Sequence, residues 1–230
     1  MLYSATPETG VLRTSNRVEK LIAMTVENAA SLLVQPPAML LAAGRGERMR
    51  PLTDITPKPL LKVQGVPLLQ LHMQALLAAG VPRAVINTGW LGMQIPAYFG
   101  DEFVPQPDGG ASAKLSLAYS EEPEKAFETA GGISRALPQL DRVFWLAAGD
   151  VYAPDFCFAV QDAQAFAHSD ELAHLWLVDN PPQHPQGDFT LQQGRVLAQP
   201  ALTFSGVGLY HPAAFVSLPC GARKLAPLLR

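Results

Sequence analysis

One stretch of this chain concentrates residue types that handle phosphate. It runs Leu41-Ala42-Ala43-Gly44-Arg45-Gly46-Glu47-Arg48-Met49-Arg50-Pro51-Leu52-Thr53 and continues at Thr56-Pro57-Lys58-Pro59-Leu60. Gly44 and Gly46 permit positive φ and let backbone N–H groups approach an anion closely. Arg45, Arg48, Arg50 and Lys58 place four cations within fourteen residues, opposed by Glu47 and Asp54. The whole chain carries 17 Lys+Arg against 20 Asp+Glu, a net charge of −3, so this cluster is a local feature suited to a triphosphate or similar polyanion. Two familiar anion loops are excluded: G-x-x-x-x-G-K-[ST] is absent, and G-x-G-x-x-G fails at Met49, where the third glycine would stand. A surface turn with solvated cations would explain the paired glycines alone. It does not account for Pro51, Thr53 and Lys58 at their offsets.

A second candidate is Asp150. It follows the apolar run 143–148 through Gly149, which sets a carboxylate at the carboxyl edge of a sheet, where it could hold Mg²⁺. The alternative is a turn or helix cap. The five histidines, His72, His168, His174, His184 and His211, have no metal-ligand spacing. Cys157 and Cys220 are too few for a disulfide framework or a zinc site, and no G-x-S-x-G nucleophile motif occurs. His184, near Asp188, reads as a loop histidine, and Trp90, Trp145 and Trp176 as core or rim.

The elements that must position these residues follow from the apolar pattern. Runs at 39–42, 84–87, 115–119, 143–148, 172–178 and 203–210 read as strands. Helices are expected over 67–79, with Leu68, Leu71, Ala75, Leu76 and Ala79 on the inner face, and over 131–137 and near 156–167. A short helix or turn is expected over 92–99, a hairpin of 189–191 with 196–197, and helical turns near 212–215 and 224–229. Strands alternating with helices predict an α/β fold, a Rossmann-like, mostly parallel sheet with helices on both faces. The glycine-rich run would then leave the first strand at the edge where such sheets bind ligands. Residues 1–37 read as an N-terminal extension ending in Gln35-Pro36-Pro37, loosely attached or preceding a later start at Met24 or Met39; 17–34 would suit one amphipathic helix. Residues 38–230 read as one domain. With 48 % hydrophobic and 16 % charged residues, disorder is excluded for the bulk of the chain. No apolar run reaches the roughly 18 residues of a membrane span, and no signal peptide is evident, so a cytoplasmic setting is expected. Neither nucleic acid nor a membrane is expected as a partner.

The run 41–53 with Pro57-Lys58-Pro59 resembles the signature of sugar-phosphate nucleotidylyltransferases, L-A-A-G-x-G-[TE]-R-x-x-P-L-T followed by a P-K-P lysine. Glu47 in place of the usual threonine points within that group to the N-acetylmuramate α-1-phosphate uridylyltransferases. Val85-Ile86-Asn87, Glu128-Thr129-Ala130-Gly131-Gly132, Gly149-Asp150-Val151, Val178-Asp179-Asn180-Pro181, Gly187-Asp188-Phe189 and Thr203-Phe204-Ser205-Gly206 extend the likeness over about 38–230. It implies the nucleotide-diphospho-sugar transferase type of fold. The implied activity is transfer of a uridylyl group from UTP to a sugar 1-phosphate in cell-wall recycling. The implied roles are carried over by matched position. Ala43, Gly44, Gly46, Glu47 and Arg48 would hold the triphosphate, with Arg48 on the leaving pyrophosphate. Lys58 would neutralise the α-phosphate and sugar phosphate, Gly131 would admit the base, and Asp150 would bind Mg²⁺. Asn180 and Asp188 would meet sugar hydroxyls. A glucose- or mannose-type sugar 1-phosphate, or nucleotide binding without turnover, are the alternatives. The family's later W-x-D-x-G, which supplies a second carboxylate to the metal, has no match before Arg230. On this reading the domain is C-terminally incomplete and its activity weakened or lost.

Overall fold

A computed structural model describes residues 35–105, 113–123, 127–140, 143–216, 218 and 221–229. The helix expected over 17–34 lies outside them. In chain order the elements are β1 (Ala38–Leu41), β2 (Lys62–Val63), β3 (Val66–Pro67), α1 (Leu68–Ala78), β4 (Arg83–Thr88), α2 (Gln94–Phe99) and β5 (Glu102–Phe103). Then come β6 (Leu115–Glu121), α3 (Glu128–Ala136), β7 (Phe144–Ala148), α4 (Val160–Ala167), β8 (Ala173–Val178), β9 (Phe189–Gln192) and β10 (Arg195–Tyr210).

The main sheet has the order β5-β6-β4-β1-β7-β10-β8, with β9 paired to β10. β6, β4, β1 and β7 are mutually parallel, whereas β10 runs against β7 and β8, and β5 against β6. The expected mostly parallel α/β sheet is therefore present, with reversed strands at β5 and β10. Strand side chains alternate between two cores, as a period of two requires. Ala38, Leu40, Ala84, Ile86, Trp145 and Ala147 face one side, where α1, α2 and α4 add Leu69, Met73, Ile95 and Phe166. Met39, Val85, Phe144, Leu146 and Tyr210 face the other, covered by Ala130, Ile133 and Ala136 of α3 together with Phe215 and Leu225.

Three expectations are corrected. The buried residues of α1 are Leu68, Leu69, His72, Met73 and Leu76; Leu71, Ala75 and Ala79 are only half-buried. The inner stripe thus runs through a histidine, tolerated because its ring has a carbonyl partner. The strands expected at 196–197 and 203–210 are one long strand, β10. Its pairing shifts from β9 to β8, with irregularities between Leu197 and Leu202 and between Phe204 and Gly208. Finally, residues 35–37 belong to the folded unit rather than to an extension. The Gln35 carboxamide donates to the Phe158 carbonyl at 2.6 Å and accepts from the Trp145 indole N–H at 3.1 Å. The Pro37 carbonyl accepts from the Trp145 backbone N–H at 3.0 Å. Two prolines bar regular pairing at this entry, so a side chain supplies the partners.

Gln35→Ala would strand a buried indole N–H and a buried carbonyl. We expect a loss of about 2 kcal/mol in urea unfolding, read as a lower midpoint at unchanged m-value.

Candidate active site

β1, β4 and β7 end level with one another: Leu41 lies opposite both Asn87 and Ala148. Beyond this edge opens a cleft of about 550 Å³. One wall is the run leaving β1, from Ala42 and Ala43 through Gly44 and Gly46 to Arg48. Gly46 has φ 65°, and a Cβ there would lie 3.0 Å from Thr53 Cγ2 and 3.1 Å from Lys58 Cβ, so both the turn and the packing call for glycine. The buried Thr53 hydroxyl donates to the Gly46 carbonyl at 2.9 Å. The 3₁₀ turn Glu47–Met49 then carries Arg48 to the cleft. Gly44 is exposed, keeps an ordinary φ and has no atom within 4 Å of its Cβ position.

The four cations part company. Arg48 and Lys58 line the cleft. Arg45 instead donates to the Thr53 carbonyl at 2.7 Å and to Asp54 at 2.6 Å, with its guanidinium 3.8 Å from the centre of the Trp90 ring. Arg50 bonds the same Asp54 oxygen at 3.0 Å. Hydrogen bonding from Arg45, with the Arg50 charge beside it, holds the Asp54 carboxyl below its ordinary range. The expected four-cation phosphate site is therefore two cations at the cleft and two in a network around Asp54. Among the described residues, Glu47, Glu122, Glu128 and Asp150 also line the cleft, so carboxylates outnumber cations there.

Another wall is a chain of paired polar groups. Ala42 N–H donates to Asn87 Oδ1 at 2.6 Å, Asn87 Nδ2 donates to Glu122 Oε1 at 2.7 Å, and Phe127 N–H donates to Glu122 Oε2 at 2.9 Å. Asn87 and Glu122 are both buried. A Cβ on Gly132 would collide with the Glu122 carboxylate and lie 3.0 Å from the Asn87 amide, which is why glycine stands there. Glu128 and Thr129 complete this wall at the start of α3. Glu128 has φ 58°, an uncommon conformation for a residue with a side chain.

Asp150 lines the same cleft as Arg48 and Lys58, in a turn after β7. The Gly149 N–H donates to the Leu41 carbonyl at 2.9 Å, and a Cβ on Gly149 would lie 2.8 Å from that oxygen. Lys58 Nζ reaches Asp150 Oδ2 at 2.5 Å. From below, His72 Nε2–H donates to the Val151 carbonyl at 2.7 Å. Burial lowers the His72 pKa against the raising pull of that carbonyl and of Asp150. No group of three or more His, Cys, Asp or Glu among the described residues could hold a metal. Asp150 is thus a carboxylate outside any such group, lining the cleft together with the Gly46 turn. That arrangement suits Mg²⁺, which keeps several waters and takes one or two protein carboxylates beside substrate phosphates.

The remaining expected site residues lie elsewhere. Gly131 is buried inside α3, where a Cβ would run into the Gly221 carbonyl. Its N–H and that of Ala130 donate to the Arg223 carbonyl at 3.3 and 2.9 Å, so the C-terminal segment, not the cleft, caps this helix. The Asn180 carboxamide donates to the carbonyls of Pro185 and Ala201 at 2.9 and 2.8 Å and accepts from the Thr203 hydroxyl at 2.8 Å. Asp188 accepts from the Phe204 N–H at 2.9 Å and pairs with His184 at 3.1 Å. Both tie the loop between β8 and β9 to residues of β10, and neither lines the cleft. Asn87, Glu128 and Thr129, which stand in motifs that extend the family likeness but were given no role there, also line the cleft, as does Glu122, a polar residue just past a strand end and too common a signal to select.

The nucleotidyl transferase family profile matches residues 37–189. The chain is 48 % identical over 201 residues to the N-acetylmuramate alpha-1-phosphate uridylyltransferase of Neisseria meningitidis serogroup B, covering 84 % of this chain and 83 % of that one. It is 32 % identical over 203 residues to the enzyme of the same name from Caulobacter vibrioides, covering 83 % and 81 %. Among solved structures, the inositol-1-phosphate CTP transferase from T. maritima superposes with a TM-score of 0.61 at 20 % identity, covering 85 % of this chain and 80 % of that one. A UDP-glucose pyrophosphorylase complexed with UDP-glucose gives 0.59 at 16 %, covering 78 % and 77 %. These last two speak for the fold.

His72 generates a pH prediction. Its folded-state pKa lies below the ordinary value of 6.5, so on acidification the unfolded chain takes up a proton that the folded chain refuses. The stability contributed by neutral His72 is complete above about pH 6.5 and is lost as pH falls toward the lowered folded value. Urea midpoints taken at about pH 7.5 and 5.5 should show that fall, and His72→Gln should flatten it.

Proposed function

The chain belongs to the nucleotidyl transferase family, and we propose that its cleft transfers a uridylyl group from UTP to N-acetylmuramate α-1-phosphate, giving UDP-N-acetylmuramate and pyrophosphate. The observation that carries this reading is the convergence of Arg48, Lys58, the Gly46 turn and Asp150 on one cleft at the carboxyl edge of the sheet. The two relatives named for this reaction favour UTP and the muramate sugar over a glucose- or mannose-type substrate.

In this reaction an oxygen of the sugar 1-phosphate attacks the α-phosphorus of UTP. The bond from that phosphorus to the bridging oxygen breaks, and pyrophosphate leaves with the bonding electrons. The protein's contribution is positioning and charge stabilisation. The turn from Ala43 to Arg48 receives the triphosphate, and the Arg48 guanidinium, with its planar fork of donors, suits the departing pyrophosphate. Lys58, a point charge, would neutralise the α-phosphate and the incoming sugar phosphate. Mg²⁺, held by Asp150 together with the nucleotide's own phosphates, would neutralise phosphate charge and polarise the α-phosphoryl group. Carboxylates outnumber cations at the cleft, so a bare triphosphate would be disfavoured there and its magnesium complex favoured. The Lys58–Asp150 pair leaves neither charge uncompensated at the cleft.

The test is pyrophosphate release with UTP and Mg²⁺ over a panel of muramate-, glucosamine-, glucose- and mannose-type 1-phosphates. The muramate compound should give the highest kcat/KM. A different preferred sugar would reassign the substrate, and nucleotide binding without any turnover would favour a binding protein. Arg48→Ala and Lys58→Ala should each lower kcat by about a hundredfold or more. A retained rate would remove that residue from its role.

A further inference from the structure

Arg45 sits between two glycines of the phosphate-binding turn, and its charge invites a phosphate contact. Its surroundings leave it no such part. One arm of the guanidinium reaches the Thr53 carbonyl at 2.7 Å and the other reaches Asp54 at 2.6 Å, while the planar face lies 3.8 Å from the centre of the Trp90 ring. Trp90 belongs to the loop after β4, and its indole N–H donates to the same Thr53 carbonyl at 2.9 Å, so that one oxygen accepts from both partners. Two further bonds join these segments: Trp90 N–H donates to the Ala43 carbonyl at 3.3 Å, and the carboxamide of Gln94, at the start of α2, donates to the Ile55 carbonyl at 3.1 Å. They also touch closely at Gly89, where a Cβ would lie 2.8 Å from the Ala43 carbonyl.

Thr53 links this cluster to the cleft. Its carbonyl accepts from Arg45 and Trp90, and its hydroxyl donates to Gly46, the left-handed residue from which the Arg48 turn springs. The Gly46 Cβ position lies against both Thr53 and the stem of Lys58. Arg45 therefore bears on Arg48 and Lys58 through packed atoms, while its own charge is spent on Asp54 and the indole face.

We propose that Arg45 is a positioning residue, clamped with Trp90 onto Thr53, that sets the geometry of the phosphate turn without touching the nucleotide. A guanidinium is required, because lysine cannot lie flat on the ring while forking to a carbonyl and a carboxylate. The consequences for turnover rest on the reading of the cleft as a nucleotide site; the clamp itself does not.

The experiment compares Arg45→Ala, Arg45→Lys, Trp90→Phe, Trp90→Ala and the Arg45→Ala/Trp90→Ala double variant of the full chain. In thermal unfolding the double variant should lose clearly less than the sum of the single losses, because each single change already opens the clamp. Arg45→Ala should also shift the fluorescence of Trp90, identified by its absence from Trp90→Phe. In turnover, Arg45→Ala should lower kcat by about tenfold or more while KM for the nucleotide moves less than about threefold, with Arg45→Lys no better. The salt dependence of nucleotide binding should be unchanged.

Two results would overturn the proposal. One is strictly additive unfolding losses with Trp90 emission unmoved by Arg45→Ala. The other is a raised KM with a weaker salt dependence that lysine restores, the signature of a phosphate ligand. Should the wild-type chain turn over no nucleotide, the nucleotide reading fails while the unfolding cycle and the Trp90 emission still decide the clamp.

Discussion

The parallel register of β1 with β4 and β7 is the constraint from which the cleft follows. Because Leu41 is level with Asn87 on one side and Ala148 on the other, the segments leaving these strands emerge together. The glycine turn, the Asn87 amide and the Asp150 carboxylate are thereby gathered at one edge, although Asn87 and Asp150 follow the turn by about forty and a hundred residues. Strands in such a sheet are buried on both faces, and slipping one of them by a residue would exchange its two core faces. The packing that fixes Met39 and Leu40 on opposite sides of β1 also fixes the height at which the glycine turn begins.

Above that edge, polar groups are arranged by who is paired with whom. Asn87 and Glu122 are buried, yet each has backbone and side-chain partners, and they tie the floor under Ala42 to the residue before α3. A satisfied network of this kind is stiff, since losing one member leaves another buried and unpaired. On the β7 side the buried His72 grips the Val151 carbonyl next to Asp150. The turn that would meet phosphate and the carboxylate that would meet its cation are thus each braced from beneath, by the Thr53 hydroxyl at Gly46 and by His72 at Val151.

Much of the fold was legible because its signals are local. The apolar runs marked β1, β4, β6, β7 and β8, and Pro67 before a run of good helix formers marked α1. The failures came where local signals are mute. A histidine inside α1 displaced the apparent apolar stripe, because nothing near it in sequence tells that Val151 will accept its proton donor. The runs 196–197 and 203–210 read as separate strands but are one, since pairing with β9 and then β8 is a tertiary matter. Gln35 read as part of a tail, and its partners Phe158 and Trp145 lie more than a hundred residues on.

The site divides in the same way. The sequence alone determined that a glycine-hinged turn with arginines and a lysine leaves the opening strand, and that Asp150 ends another buried strand. Both are statements about residue type and neighbouring apolar pattern. Which cations face the cleft was decided only in three dimensions: Arg45 and Arg50 are drawn to Asp54, and Arg45 also to Trp90, while Arg48 and Lys58 reach the open side. So too with Gly131, Asn180 and Asp188, whose partners prove to be Arg223, Ala201 and Phe204. A side chain's charge and hydrogen-bonding capacity are written at its own position, but the group that will satisfy them is chosen by packing.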